Sequence, residues 1–195
     1  MSDYVLSFDP GTINMSYCLV EIDTETVFRW GKFSIKDSTN EGSCTRLSKH
    51  LNQLDLTDGI DSIVVHEQQP RCNVKTITIS GQLQMYYVLK KMDENGTGTI
   101  EKIVGHHAKN KINYYQPKPG DEPMPMARLN KLKKGHYKTK QTLVEHCRRI
   151  LVQKGEDKAW IDWFENQDKK DDLADSYVQA LSYIKMNKLG KYKGT

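Results

Sequence analysis

The order of elements legible in the sequence predicts an α/β domain: a mixed five-stranded sheet flanked by helices on both faces. Three observations carry that prediction. Three β-prone stretches follow one another near the N-terminus with links too short for a helical crossover, so they form an antiparallel meander. A later stretch, Ile60 to His66, is almost continuously apolar, as a strand buried on both faces must be. After it, helical periods alternate with one more strand, and meander followed by alternation suggests a mixed sheet between helices.

Tyr4 to Phe8 is apolar and β-prone, and Asp9-Pro10-Gly11-Thr12 stops it with turn residues. Met15 to Ile22 and Thr26 to Ile35 complete the meander. From Cys44 to Leu54, Leu47, Leu51 and Leu54 recur at helical spacing. The Ile60 to His66 strand ends in Glu67, and Val74, Ile77, Leu83, Tyr86, Leu89 and Met92 then fit a long helix, with a second apolar face available for a dimer contact. Ile100 to Val104 is the fifth strand, and a basic insertion at about 105–138, rich in Gly, Pro and Lys, separates it from a helix over Thr139 to Leu151. A last helix is expected from Lys169 to Met186.

The chain has 195 residues, the size of one ordinary domain, and residues 1–195 are read as a single unit. The formal charge of +4 hides a segregation: Lys102 to Lys154 holds 13 Lys or Arg against 3 acids, whereas Glu156 to Asp175 holds 8 acids against 3 bases. A basic segment of that kind can neutralise phosphates and release their counterions. Cys18, Cys44, Cys72 and Cys147 form no C-x-x-C pair, which argues against a zinc ribbon and a disulfide scaffold and for a reducing, intracellular setting. No signal peptide or membrane span is expected from the N-terminal residues.

Four carboxylates stand where elements end. Asp9 closes the first strand, Glu67 closes the central strand, and Asp172 and Asp175 share one face of the last helix. Ligands of open α/β sheets bind at the carboxyl ends of strands, so Asp9 and Glu67 would meet if their strands are neighbours. Four gathered negative charges need a compensating cation, and all-oxygen ligation favours Mg²⁺ or Mn²⁺ over zinc. Two such ions about 4 Å apart would stabilise the attacking and leaving oxygens of an in-line displacement at phosphorus. The expected chemistry is phosphodiester hydrolysis. Taken singly, each acid also has an ordinary structural explanation, as a turn residue or a helix-start acid; the combination is what points to a site.

Ser7-Phe8-Asp9-Pro10-Gly11-Thr12-Ile13-Asn14, Val64-Val65-His66-Glu67-Gln68-Gln69-Pro70-Arg71 and Lys170-Asp171-Asp172-Leu173-Ala174-Asp175-Ser176 resemble the three acidic motifs of RuvC-like Holliday junction resolvases. The Gln-Pro-Arg after the glutamate and the Asp-Asp-x-Ala-Asp-Ser string resemble the poxvirus branch most. The resemblance implies an RNase H-like fold, a homodimer and paired symmetric nicks across four-way and other branched DNA. It also implies that Asp9, Glu67, Asp172 and Asp175 hold two Mg²⁺ ions, with Mn²⁺ as a substitute. A lysine assists near the active site of that family; Lys138 and Lys140 match the region, and Lys140 is preferred. Arg71, Lys109, Lys111, Lys133, Lys134, Tyr137 and Lys138 are the candidate DNA contacts. A viral origin would place the protein at the site of viral replication in the host cytoplasm.

His106-His107 after the fifth strand reads as a solvated loop pair, and no H-E-x-x-H helix supports a zinc enzyme. Tyr114, Tyr115 and Tyr137 among lysines either stack on unpaired bases or pack a loop. Two alternatives remain. An actin-like ATP-binding domain would use Asp9 to Asn14 as a phosphate loop but needs two domains and a second Gly-rich motif. A non-catalytic branched-DNA-binding protein would need the basic segment and none of the four acids.

Overall fold

In the computed structural model, residues 2–68, 74–93, 98–112, 114 and 136–190 are described; the side chains of 112 and 136–138 are not. Five strands form one sheet: β1 (Tyr4–Asp9), β2 (Met15–Glu21), β3 (Val27–Phe33), β4 (Ser62–Gln68) and β5 (Ile100–His107), in the order β3-β2-β1-β4-β5. β1–β2 and β2–β3 are antiparallel, and β1–β4 and β4–β5 are parallel. The meander and the mixed sheet are therefore as expected. Six helices occur among the described residues: α1 (Asn40–Leu54), α2 (Val74–Met92), the short α3 (Lys109–Ile112), α4 (His136–Lys154), α5 (Lys158–Glu165) and α6 (Lys170–Met186).

Strand alternation sorts side chains between two cores. Val5, Cys18, Val20, Ile63 and Val65 face α4, α5 and α6, where Leu143, Cys147, Leu151, Leu173, Tyr177 and Leu181 complete one cluster. Leu6, Phe8, Leu19 and Val64 face α1 and α2, meeting Leu47, Leu51, Ile79, Leu83 and Tyr87. Helices cover both faces, as a sheet apolar on both sides requires.

Several boundaries differ from expectation, each for a local reason. α1 starts four residues earlier because Thr39 caps it, its hydroxyl accepting from Gly42 N–H at 2.9 Å. β5 runs on through His106 and His107, pairing them with Glu67 and Gln68, so the solvated loop expected there is corrected to strand. α5 was not anticipated. Its Trp163 and Phe164 pack on Trp30 with ring centroids 5.4 and 5.1 Å away, and this tertiary contact stabilises a helix of only 8 residues. The basic insertion is shorter than 105–138 suggested: its first residues belong to β5 and α3 and its last to α4, while 113 and 115–135 lie outside the described residues.

Candidate active site

β1 and β4 are parallel neighbours with Phe8 opposite His66, so one step further along each strand sets Asp9 beside Glu67. Adjacent strands lie about 4.8 Å apart, which brings the two carboxylates within reach of a shared cation. Beyond Asp9 the chain turns sharply toward β2. A side chain at Gly11 would meet the Asn14 carbonyl at 2.8 Å, so this close approach needs glycine.

α6 brings the other two acids. Gln179 donates to Ser7 Oγ at 2.8 Å and to the Phe8 carbonyl at 2.9 Å, clamping the helix to the end of β1. Ser16 donates to the Asp172 carbonyl at 2.5 Å, and the Trp30 indole donates to the Leu173 carbonyl at 3.2 Å. Asp175, one turn before Gln179, therefore stands above Asp9 and Glu67, and Asp172 lies one turn further on. The structure brings together all four acids expected from the sequence.

An unexpected participant lies among them. Lys111, grouped on sequence with the DNA-facing residues, is buried, its side chain 4% exposed; its ammonium pairs with Glu67 and, at 2.5 Å, with Asp175. α3 follows β5 directly, so Lys111 arrives at the same strand ends from the neighbouring strand. Nothing in the sequence distinguishes it from the other lysines of that stretch. Lys140, at the start of α4, pairs with Asp171 and lies 3.7 Å from Asp172, on the outer side of the cluster.

Electrostatics follow from the crowding. Burial, then the Asp175 charge, raise the Asp9 carboxyl well above the ordinary aspartate range, with Glu67 and Asp172 adding and Lys111 opposing. Asp175 is raised by burial, with Lys111 opposing and Glu67 adding. Burial acts to lower the Lys111 ammonium, but Asp175, Asp9 and Glu67 outweigh it and the net shift is upward. Among the described residues five carboxylates, counting Asp171, thus face two ammonium groups.

Two histidines lie behind the acids. His106 is 5% exposed, bonds Ser182 Oγ through Nε2 at 3.1 Å, and is lowered to about 4 by burial and by the Lys111 charge. It is therefore neutral near pH 7. His66 is also buried and lowered by that burial.

The donor chemistry suits hard divalent ions: all-carboxylate oxygen donors reach one end of the sheet from two strand ends and a helix face. In the arrangement described, no three His, Cys, Asp or Glu side chains among the described residues are gathered closely enough to hold a metal, and the Lys111 ammonium stands between Glu67 and Asp175. Of the proposed DNA contacts, Lys109 follows β5 at the start of α3, while Arg71, Lys133 and Lys134 and the side chains of Tyr137 and Lys138 lie outside the described residues. Tyr114 packs against the α4–α6 core with the Lys185 ammonium 5.5 Å from its ring centre, which favours loop packing over base stacking; Tyr115 is outside the described residues. A cleft of about 310 Å³ flanks the turn after Asp9, lined by Thr12, Ile13, Lys36, Thr39, Lys75 and Gln82 among others. Among the described residues no helix is long and apolar enough to cross a membrane.

No family model matches the chain. An uncharacterized protein of Acanthamoeba polyphaga mimivirus is 28% identical over 141 residues, which is 71% of this chain but only 31% of that protein, so the chain spans about a third of the relative's length. Among solved structures, T. thermophilus RuvC in complex with Holliday junction substrate aligns with a TM-score of 0.52 at 12% identity, covering 94% of this chain and 95% of the other. A second Thermus thermophilus RuvC structure aligns with a TM-score of 0.52 at 13% identity over 96% and 98% of the two chains. Identities this low speak for the backbone alone, and on that ground the chain has the RNase H-like α/β fold of RuvC.

Proposed function

We propose that this protein is a metal-dependent endonuclease of the Holliday junction resolvase type, nearest in its motifs to the poxvirus branch, and that the whole chain forms one nuclease domain. The observation that carries the reading is the placement of Asp9, Glu67, Asp172 and Asp175 at one end of a RuvC-like sheet, where the described ammonium groups offset their charge only in part. Asp9, Glu67, Asp172 and Asp175 would hold two divalent ions, Mg²⁺ with Mn²⁺ as a substitute, which supply a nucleophilic hydroxide and Lewis acidity at phosphorus. Gln179, Ser16 and Trp30 fix α6 so that its acids stay above the strand ends. Lys111, beside Glu67 and Asp175, is the ammonium best placed to meet the charge developing on the phosphate. Lys140 is the second, held outward by Asp171.

Substrate shape follows from symmetry. Paired nicks across a four-way junction need two sites related by a two-fold axis. α2 exposes Val74, Ile77, Met85, Leu89 and Met92 along one stripe, while Ile79, Leu83 and Tyr87 on the opposite side enter the core. Gly81 lies within the exposed stripe with open space around it, which allows a second helix to approach closely. A homodimer through this face would present two carboxylate clusters to one junction. The RuvC relative is recorded with such a junction. The viral relative supports a viral setting, with the host cytoplasm as the proposed compartment.

A synthetic four-way junction incubated with the protein, with and without Mg²⁺, tests the proposal. Glu67→Gln should lower cutting about a thousand-fold or more, the scale of several kcal/mol of lost transition-state stabilisation. Junction binding should persist, because removing a carboxylate lessens repulsion of phosphate. Cutting that survives Glu67→Gln refutes the assigned site, and binding without any cutting favours the non-catalytic alternative.

A further inference from the structure

We infer that Lys111 is a built-in counter-ion that closes the carboxylate cluster in the metal-free protein and must be displaced for divalent ions to enter. The inference rests on the metal-site reading above and adds to it a competition within the protein itself. Its geometric basis is that the Lys111 ammonium, in contact with both Glu67 and Asp175, occupies the space between two proposed ligands from different elements.

Three features make this more than a surface contact. Lys111 and Glu67 are 4% and 7% exposed, so their pairing is desolvated and cannot be exchanged for water without opening the site. The carboxylates exceed the ammonium groups, so removing Lys111 leaves Asp9, Glu67 and Asp175 repelling one another. And the lysine rides on α3, a helix of only four residues whose start is held by a backbone bond from Lys111 N–H to the Ala108 carbonyl. Among the described elements α3 packs chiefly on α6 and β5, so a single short turn there can swing by giving up those contacts while the β1–β4 ladder stays in place.

Competition of this kind has a clear consequence. Part of the free energy of metal binding is consumed in breaking the Lys111 contacts, so the protein resists metal more than its ligands alone would. Displacement also delivers a charged ammonium to the mouth of the site, where a bound phosphate would lie. The chain then couples ion entry to the placement of a group that favours the anionic substrate.

The test is calorimetric Mn²⁺ titration of metal-stripped wild type, Lys111→Met, Lys111→Arg and Asp9→Asn/Glu67→Gln. Lys111→Met should bind Mn²⁺ about ten-fold more tightly or better, equivalent to at least about 1.4 kcal/mol. Lys111→Arg, which keeps the charge, should show no such gain. Lys111→Met should also melt below wild type when metal-free, with the gap closing at saturating Mn²⁺. Unchanged or weaker binding in Lys111→Met overturns the inference. Wild-type binding that the double variant leaves intact overturns the metal-site reading instead. Should Lys111→Met fail to fold, the wild type alone decides the matter: acylation of Lys111 by an amine-reactive probe, read by mass spectrometry, should rise several-fold on adding Mn²⁺. Continued protection of Lys111 at saturating Mn²⁺ would exclude displacement.

Discussion

Both ends of the sheet place a lysine among carboxylates, yet they balance charge differently. At the hairpin end, between β2 and β3, the Lys154 ammonium pairs with the fully buried Glu25, and Glu156 accepts from Val27 N–H at 2.9 Å and the Tyr177 hydroxyl at 3.2 Å. At the opposite end, Asp9, Glu67, Asp172 and Asp175 crowd around Lys111 and Lys140, and Asp9, Asp172 and Asp175 are raised with burial as the leading cause. At the first, two carboxylates are met by an ammonium, a backbone N–H and a tyrosine hydroxyl, although burial still raises Glu156. The other holds a surplus that a cation from outside would relieve, and such conflict between stability and local charge is expected where function resides.

The comparison is sharpened first by Asp9→Asn. If Asp9 is a ligand as proposed, junction cutting should fall by about a thousand-fold or more. In chelator, however, the variant should melt a few degrees above wild type, because one repelling charge is gone. A lower melting temperature would show that Asp9 is a structural acid, and the contrast between the two ends would fail.

Lys154→Met probes the balanced end. Removing one partner of a buried pair costs about 3–5 kcal/mol, so the melting temperature should drop by about 10 °C while the cutting rate of the folded fraction stays near wild type. A negligible drop would mean that the hairpin end is as loosely compensated as the site.

A third measurement uses pH. The His106 pKa is depressed from its ordinary 6.5 to about 4, so its neutral form contributes stability that is present above pH 6.5 and is lost as pH falls toward about 4. His66 and His146, also lowered by burial, act in the same direction. The raised Asp9, Asp172 and Asp175 act in the opposite direction over the same interval, so the variant isolates the histidine: His106→Gln should lose less of its denaturant midpoint between pH 7 and 5 than wild type does. An equal loss would remove His106 from that balance.

The smallest effect concerns the cleft beside the turn after Asp9. Lys36 and Lys75 line it, and neither is in an ion pair among the described residues. If a DNA strand passes there, Lys36→Gln and Lys75→Gln should each reduce the salt dependence of junction affinity by about one unit of slope, with little change in cutting at saturation. Identical salt slopes would direct the DNA elsewhere.

Strand ends and helix faces were readable along the chain because they depend on local pattern. The β-prone runs of β1 and β2, the apolar run of β4 and the i, i+3 spacing of Asp172 and Asp175 are visible without coordinates. The helix α5 was not, since Lys158–Glu165 is too short to declare itself and is held by its ring contacts with Trp30. The extension of β5 through His106 and His107 was hidden for a related reason: polar residues become strand there because β4 supplies the ladder and Ser182 a partner.

By itself, then, the sequence determined that two acids stand at strand ends and two share one face of a late helix, and that a basic segment precedes that helix, because side-chain type and period are local properties. Only tertiary structure decided that β1 and β4 are parallel neighbours, that α6 is clamped above them, and that Lys111 enters the cluster. A lysine's chemistry is the same wherever it is written; its role depends on which charges the folded backbone sets around it, and that is a property of contacts between residues distant in the chain.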